Sequence, residues 1–182
     1  MPLPEPDAVV VRSLAADLGA AGFRTERLRE LWGDAADGAL GRGPALPARR
    51  RLAGETTPVG VIARLFGLGD DVAAEEAASA FPAAGLAGLE ALGLVRRDAG
   101  RVLPLVLVRP QAFVDDEGAG EWWVASDLDE AALGGPLPED HVLGVGGASL
   151  TLAALQLTDP VGRALDVGAG CGIQSLRARR AA

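Results

Sequence analysis

Apolar residues recur at helical spacing through the first half of the chain. Asp7 can cap a helix carrying Val10, Val11, Leu14 and Leu18 on one side, and Gly22 lies just beyond its end. A second short helix follows Thr25, with Leu28, Leu31 and Trp32 together. One or two more short helices are expected, around 35–40 and 47–52. The sharpest local pattern comes next. Thr57-Pro58 reads as an N-cap followed by proline at the first helical position. Val59, Ile62, Ala63 and Phe66 then fall at i, i+3, i+4 and i+7, one buried stripe. Gly67 and Gly69 end that helix, and Asp70 or Asp71 is expected to cap the next. Pro82 opens a third helix with Leu86, Leu89 and Leu92 facing inward, closed by Gly93 in the left-handed position, with Leu94 packing back on Leu89.

After Gly93 the period changes from helical to extended. Residues 94–97 and 101–103 flank Asp98-Ala99-Gly100, a hairpin turn signal. Three helices followed by a hairpin is the order of a winged-helix domain. Residues 102–108 form an apolar extended run. Residues 111–114 and 122–124 flank an acidic, glycine-containing turn over 115–120, and adjacent Trp122 and Trp123 must point to opposite faces of a strand. At least one tryptophan belongs in a core, and interdomain packing is the favoured use of the other. Beyond a Gly- and Pro-rich loop over 133–138, Ser149 is expected to cap a helix over 150–157. Ala164–Val167 reads as a short buried strand.

Composition narrows the chemistry. The 182 residues are 49% hydrophobic, enough for a real core. The first residues carry no basic stretch followed by a long apolar run, and no apolar run reaches eighteen residues, so a cytoplasmic protein without a membrane span is expected. The single cysteine, Cys171, excludes an internal disulfide and a multi-cysteine metal site. The single histidine, His141, leaves little room for a histidine-ligated metal or a triad, and reads better as a satisfied interface residue than as a catalytic base. All 17 basic residues are Arg, and Lys, Asn and Tyr are absent. That fits codon bias in a GC-rich bacterial genome. A net charge of −8 argues against nucleic-acid binding by bulk charge. Arg96, Arg97 and Arg101 nonetheless cluster at the hairpin turn, where they could meet a phosphate backbone. Solvated hairpin arginines are the favoured reading, because the helix before them offers no Arg to base edges.

The strongest chemical signal lies near the end of the chain. Leu165-Asp166-Val167 runs into Gly168-Ala169-Gly170-Cys171-Gly172, and Ile173-Gln174-Ser175-Leu176 opens a helix. Glycines between a strand and a helix let a ligand approach the backbone where a Cβ would obstruct it. The dinucleotide fingerprint wants its third glycine where Ile173 stands, and a phosphate P-loop wants a lysine that the chain lacks.

This segment resembles motif I of class I S-adenosylmethionine-dependent methyltransferases, and the Gly-Cys-Gly-Ile-Gln variant is similar to the small methyltransferase-domain group. Enzymes of that group methylate release-factor glutamine and ribosomal RNA guanine. The arrangement as a whole most resembles actinobacterial methyltransferases. The resemblance covers about residues 141–176. It implies that Asp166, Gly168, Ala169, Gly170, Cys171 and Gly172 bind S-adenosylmethionine, with Asp166 fixing the loop and the methionine amino group. Leu143 to Ser149 would occupy the place of the segment that covers the methionine end. An RNA or translation-protein substrate is implied, without a metal.

A complete domain of this kind needs further strands and an Asn-Pro-Pro-Tyr-type loop, and only ten residues follow Gly172. The expectation is therefore the N-terminal part of a longer enzyme, inactive as this piece, with no catalytic residue of its own. The alternatives are a stand-alone winged-helix module that binds nucleic acid or protein, and an enzyme of another class that uses the glycine loop for a different nucleotide. The expected fold class is α+β: a mostly helical winged-helix-like domain over 7–110, a β-containing connector over 111–140, and the start of a Rossmann-like domain over 141–182.

Overall fold

The computed structural model describes residues 6–115, 118–156, 159 and 161–180. The first five residues, the centre of the acidic turn, the end of the helix expected over 150–157 and the last two residues lie outside the described residues. The fold is mixed α+β with small antiparallel sheets.

Four helices open it: α1 (Ala8–Ala20), α2 (Thr25–Trp32), α3 (Asp34–Leu40) and α4 (Leu46–Leu52). Asp7 caps α1 by accepting the N–H of Val9 at 2.7 Å. Gly22, at φ +71°, ends it. The Phe23 N–H reaches back to the Leu18 carbonyl, and the Gly22 N–H to that of Gly19, which satisfies two carbonyls of the last turn and turns Phe23 into the core.

α5 (Pro58–Ile62) begins as the sequence predicts, with the Thr57 hydroxyl accepting the Gly60 N–H. Its continuation Ala63–Gly67 is a π-helical turn, closed by Leu68 N–H to Ala63 carbonyl at 3.0 Å. Val61 and Leu65 are as buried as the predicted stripe, so this helix is covered on all sides. The caps expected from Asp70 and Asp71 are not made. A two-residue strand, β1 (Val72–Ala73), intervenes before α6 (Ala74–Ala80), and both acids are engaged by arginines instead. α7 (Gly85–Ala91) starts later than Pro82, after a turn over 82–84. Its end matches the sequence reading: Gly93 at φ +69° donates to Glu90, and Leu94 to Leu89.

β2 (Val95–Asp98) and β3 (Arg101–Pro104) pair across Ala99-Gly100, both at positive φ, a tight two-residue hairpin. β1 pairs with β3, giving the sheet order β1-β3-β2. Helices and sheet enclose one core that includes Leu18, Phe23, Phe66, Phe81, Leu89 and Val102.

A second sheet is a long hairpin of β4 (Val106–Asp115) and β5 (Gly118–Asp127). Its strands run further than expected and cross the domain boundary drawn at residue 110, because cross-strand pairing continues to Asp115↔Gly118. α8 (Glu130–Leu133), α9 (Gly147–Leu155) and α10 (Ile173–Arg180) follow. Ser149 is not the cap of α9; Gly146 holds that place, one turn earlier. The strand expected over 164–167 is absent. No neighbour pairs with it among the described residues, and an isolated strand cannot satisfy its backbone. Leu165 and Val167 stand 87% and 85% exposed.

Candidate functional site

The glycine loop turns through three left-handed residues: Gly168 at φ +73°, Gly170 at +54° and Gly172 at +79°. Only glycine adopts such a succession without strain, so the spacing in the sequence is a backbone requirement. A Cβ at Gly168 or Gly172 would stand in open space, and one at Gly170 would reach only the Gly168 carbonyl at 4.0 Å. The Gly172 carbonyl accepts the Leu176 N–H and so begins α10. Asp166 is held to that helix by the Ser175 hydroxyl, which donates to its Oδ2 at 2.7 Å.

Asp166, Gly168, Ala169, Gly170, Cys171 and Gly172 are therefore one continuous loop at the start of α10. α9 packs beside it: the Gln174 amide donates to the Ser149 carbonyl at 2.8 Å, and Ala153 and Ile173 are buried. Leu143 is exposed, and Gly144 approaches Ser126.

The three hairpin arginines each face a carboxylate. Arg97 donates to Glu90 at 2.6 Å, and Arg96 to Asp98 at 3.4 Å. Arg101 is bonded to the Asp71 carboxylate and, at 2.8 Å, to its carbonyl. Arg97's hydrogen bond holds the Glu90 carboxyl below the usual range, and Glu90 raises the guanidinium in return. Locally the charges cancel.

Trp123 packs against the core of the N-terminal helices, and its indole donates to the Phe23 carbonyl at 2.7 Å. Trp122, on the opposite face, stacks on Phe113 with ring centroids 3.8 Å apart. The His141 ring places Nε2 3.0 Å from the Leu128 carbonyl, while its Nδ1 is buried without a partner among the described residues, so the satisfied histidine expected here is met at one ring nitrogen only. No group of three or more His, Cys, Asp or Glu side chains is placed to hold a metal ion among the described residues. No helix there is long and apolar enough to cross a membrane. A shallow groove of about 360 Å³ lies between α5 and α6, lined by Thr56, Pro58, Glu75, Glu76, Ser79 and Ala80.

Sequence reasoning missed the half-buried polar joints. Arg49 bonds Asp70 at 2.7 Å and the carbonyls of Leu68 and Ala131. Burial pushes the Asp70 carboxyl up, and the hydrogen bond and charge of Arg49 oppose this. Glu121 accepts the Thr25 N–H at 2.8 Å and the Thr25 hydroxyl at 2.5 Å. Nothing in the local spacing of Arg49 or Glu121 marks either role, since every partner but Leu68 and Asp70 lies more than eighty residues away.

Residues 20–105 match the family described as Domain of unknown function (DUF7059). No curated protein and no solved structure matches the chain. The match covers α2 to α7 and the first hairpin, and stops before the β4–β5 hairpin and the glycine loop.

Proposed function

We propose that this chain carries the docking domain and the cofactor loop of an S-adenosylmethionine-dependent methyltransferase. The observation that carries the reading is the loop 168–172: three left-handed glycines between Leu165-Asp166-Val167 and a helix, tied down by Asp166 to Ser175. The residues suit the cofactor. The space over Gly168 and Gly172 is open, so backbone amides rather than side chains would face it. Leu165 and Val167, apolar and fully presented to solvent, suit a parallel strand whose sheet neighbours come from elsewhere.

S-adenosylmethionine supplies an activated methyl on its sulfonium. What remains for the protein is positioning of cofactor and acceptor for in-line transfer. Gly168, Gly170 and Gly172 would approach the methionine end, and Asp166 would hold the loop in register with α10. None of the residues described here is assigned to proton transfer.

The order α5–β1–α6–α7–β2–β3, with β1 zipped to β3, supports a winged-helix reading of residues 58–104. In this reading the domain docks the acceptor. Neutralised hairpin arginines and an α7 without cationic side chains favour a protein acceptor over RNA. A cytoplasmic site of action belongs to the same reading.

The test is calorimetric titration of S-adenosylhomocysteine into the protein translated from the whole reading frame, beside its Gly170→Val variant. Binding near a micromolar constant, about −8 kcal/mol, is expected in the parent and lost in the variant. Equal affinity in both would sink the loop assignment. A second reading, a stand-alone winged-helix binding module, is favoured by where the buried apolar residues lie: beyond Val124 they are Ala153 and Ile173 alone among the described residues. No binding of the cofactor product by the whole protein would decide for that module.

A further inference from the structure

Toward its turn, the β4–β5 hairpin alternates its side chains between two parts of the molecule. Pairing places Val108, Pro110, Glu121 and Trp123 on one face, and Arg109, Phe113, Trp122 and Val124 on the other. The first face is anchored to the N-terminal helices. Glu121, with its side chain 10% exposed, takes two hydrogen bonds from Thr25 and one from Arg24 at 3.3 Å. Trp123 donates to Phe23 and lies beneath the Arg24 guanidinium. The second face donates from Arg109 to the Gly67 carbonyl at one end and, toward the turn, meets the helix of the glycine loop. Phe113 lies over its cross-strand partner Gly120, in the space a Cβ would take, and stacks on Trp122. The Arg180 guanidinium, in the last turn of α10, sits 4.6 Å above the Phe113 ring.

We propose that this hairpin is a tie that sets the position of the glycine-loop helix relative to the N-terminal helices. Phe113, Trp122 and Arg180 are positioning residues on one side; Glu121 and Trp123 are positioning residues on the other. The two sides share one strand, β5, in consecutive residues. A displacement that frees Glu121 from Thr25 must move Trp122, and with it the surface on which Arg180 rests. A ligand that orders the glycine loop is thereby felt at the start of α2, and a partner that moves α2 is felt at the loop. The tie rests on side-chain geometry alone and stands whether or not the loop binds S-adenosylmethionine.

The test is amide hydrogen exchange on the whole chain, followed by peptide in α10 and at the start of α2. Loss of a cation–π contact at Arg180→Ala should speed exchange in α10 about two- to fivefold. Phe113→Leu, which keeps an apolar side chain but removes the ring face, should do the same. The decisive variants are on the other face. Glu121→Ala and the milder Trp123→Phe, which keeps an aromatic ring and removes only the indole N–H, should speed exchange at the start of α2 and also in α10. Exchange in α10 that responds to Arg180→Ala but not to Glu121→Ala or Trp123→Phe would show two independent contacts and overturn the tie. So would an α10 indifferent to both Arg180→Ala and Phe113→Leu. Neither readout depends on a cofactor, so failure here is separate from failure of the methyl-transfer reading.

Discussion

Asp17 Oδ2 accepts the backbone N–H of Ala84 at 2.8 Å, although 67 residues separate them in the chain. Both oxygens of the same carboxylate also accept the Ala83 N–H, at 3.0 and 3.2 Å. Asp17 is buried in α1, and α7 has no side-chain cap of its own. A carboxylate from another helix therefore satisfies the orphan amides ahead of α7. Asp17→Ala takes the carboxylate away from these part-buried amides. Urea unfolding should show a loss of about 1.5–3 kcal/mol, the range for hydrogen bonds to a charged group. Asp17→Asn retains one acceptor oxygen and should lose less.

Gly69 combines a positive φ of +72° with close packing: a Cβ there would lie 2.5 Å from that of Ala132. The residue thus joins the end of the π-helical turn to α8. Gly69→Ala faces both left-handed strain and a clash, since Ala132 is fixed in a helix capped by Asp129. A loss of about 1–3 kcal/mol by thermal or urea unfolding is expected. Gly22→Ala is the control: its φ is similar and no atom lies within 4 Å, so only the strain remains.

The contrast between Gly93 and Gly69 marks what the sequence could tell. Gly93 closes a leucine-rich helix and donates to Glu90, three residues back, so neighbours in the chain announce its conformation. Gly69 owes its necessity to Ala132, which no local pattern connects to it. The Thr57-Pro58 start, the Ala99-Gly100 turn and the three glycines of the loop were legible for the first reason. The caps were misjudged where a distant partner competed: Asp70 and Asp71 look like caps, but Arg49 and Arg101 take both. The strand expected over 164–167 was misread for a related reason. Alternating apolar residues state that a segment can join a sheet, not that a sheet is there to receive it. The paired tryptophans were legible as opposite-facing, while the Phe113 beneath Trp122 required the register of β4 on β5.

Arg49 and Asp70 predict a pH dependence whose sign can be checked. Burial raises the Asp70 carboxyl above its ordinary value in the folded state, against the pull of Arg49. A carboxyl raised on folding favours the fold below its unfolded pKa, and that advantage is lost as pH rises through the folded pKa. Arg49→Met removes the opposing cation and raises the folded value further. The variant should lose about 1–3 kcal/mol at neutral pH, from the broken charged hydrogen bonds. Its deficit should narrow on acidification as Asp70 takes up its proton. A deficit that is constant from neutral pH to pH 4 would show that Arg49 acts through the Leu68 and Ala131 carbonyls alone.

Glu90 should move the other way. Arg97 lowers its carboxyl by hydrogen bonding and charge, so this pair favours the fold above the unfolded Glu pKa and ceases to do so as pH falls through the folded value. Arg97→Ala should return the Glu90 titration, followed by carboxyl carbon chemical shift, toward the ordinary glutamate range. An unmoved titration would mean that the pair is not formed in solution.

The same ion pairs bear on what the first hairpin touches. Phosphate contacts give log-linear salt dependence, because each cation that docks releases a condensed counterion. A guanidinium already engaged by a carboxylate must first leave it, so Arg96, Arg97 and Arg101 would each exchange one anion for another with little net release. A chain of net charge −8 adds long-range repulsion. RNA binding measured over a salt series should therefore be weak, and its slope should be the same for the parent protein and a variant with all three arginines changed to Ala. Phosphate contacts carry no base information, so unrelated RNA sequences serve equally as probes. A steep slope in the parent that flattens in the variant would overturn the protein-acceptor reading and make the hairpin an RNA-docking element. Coincident shallow slopes would leave the three arginines with the acids that already hold them, and the search for the acceptor would turn to proteins.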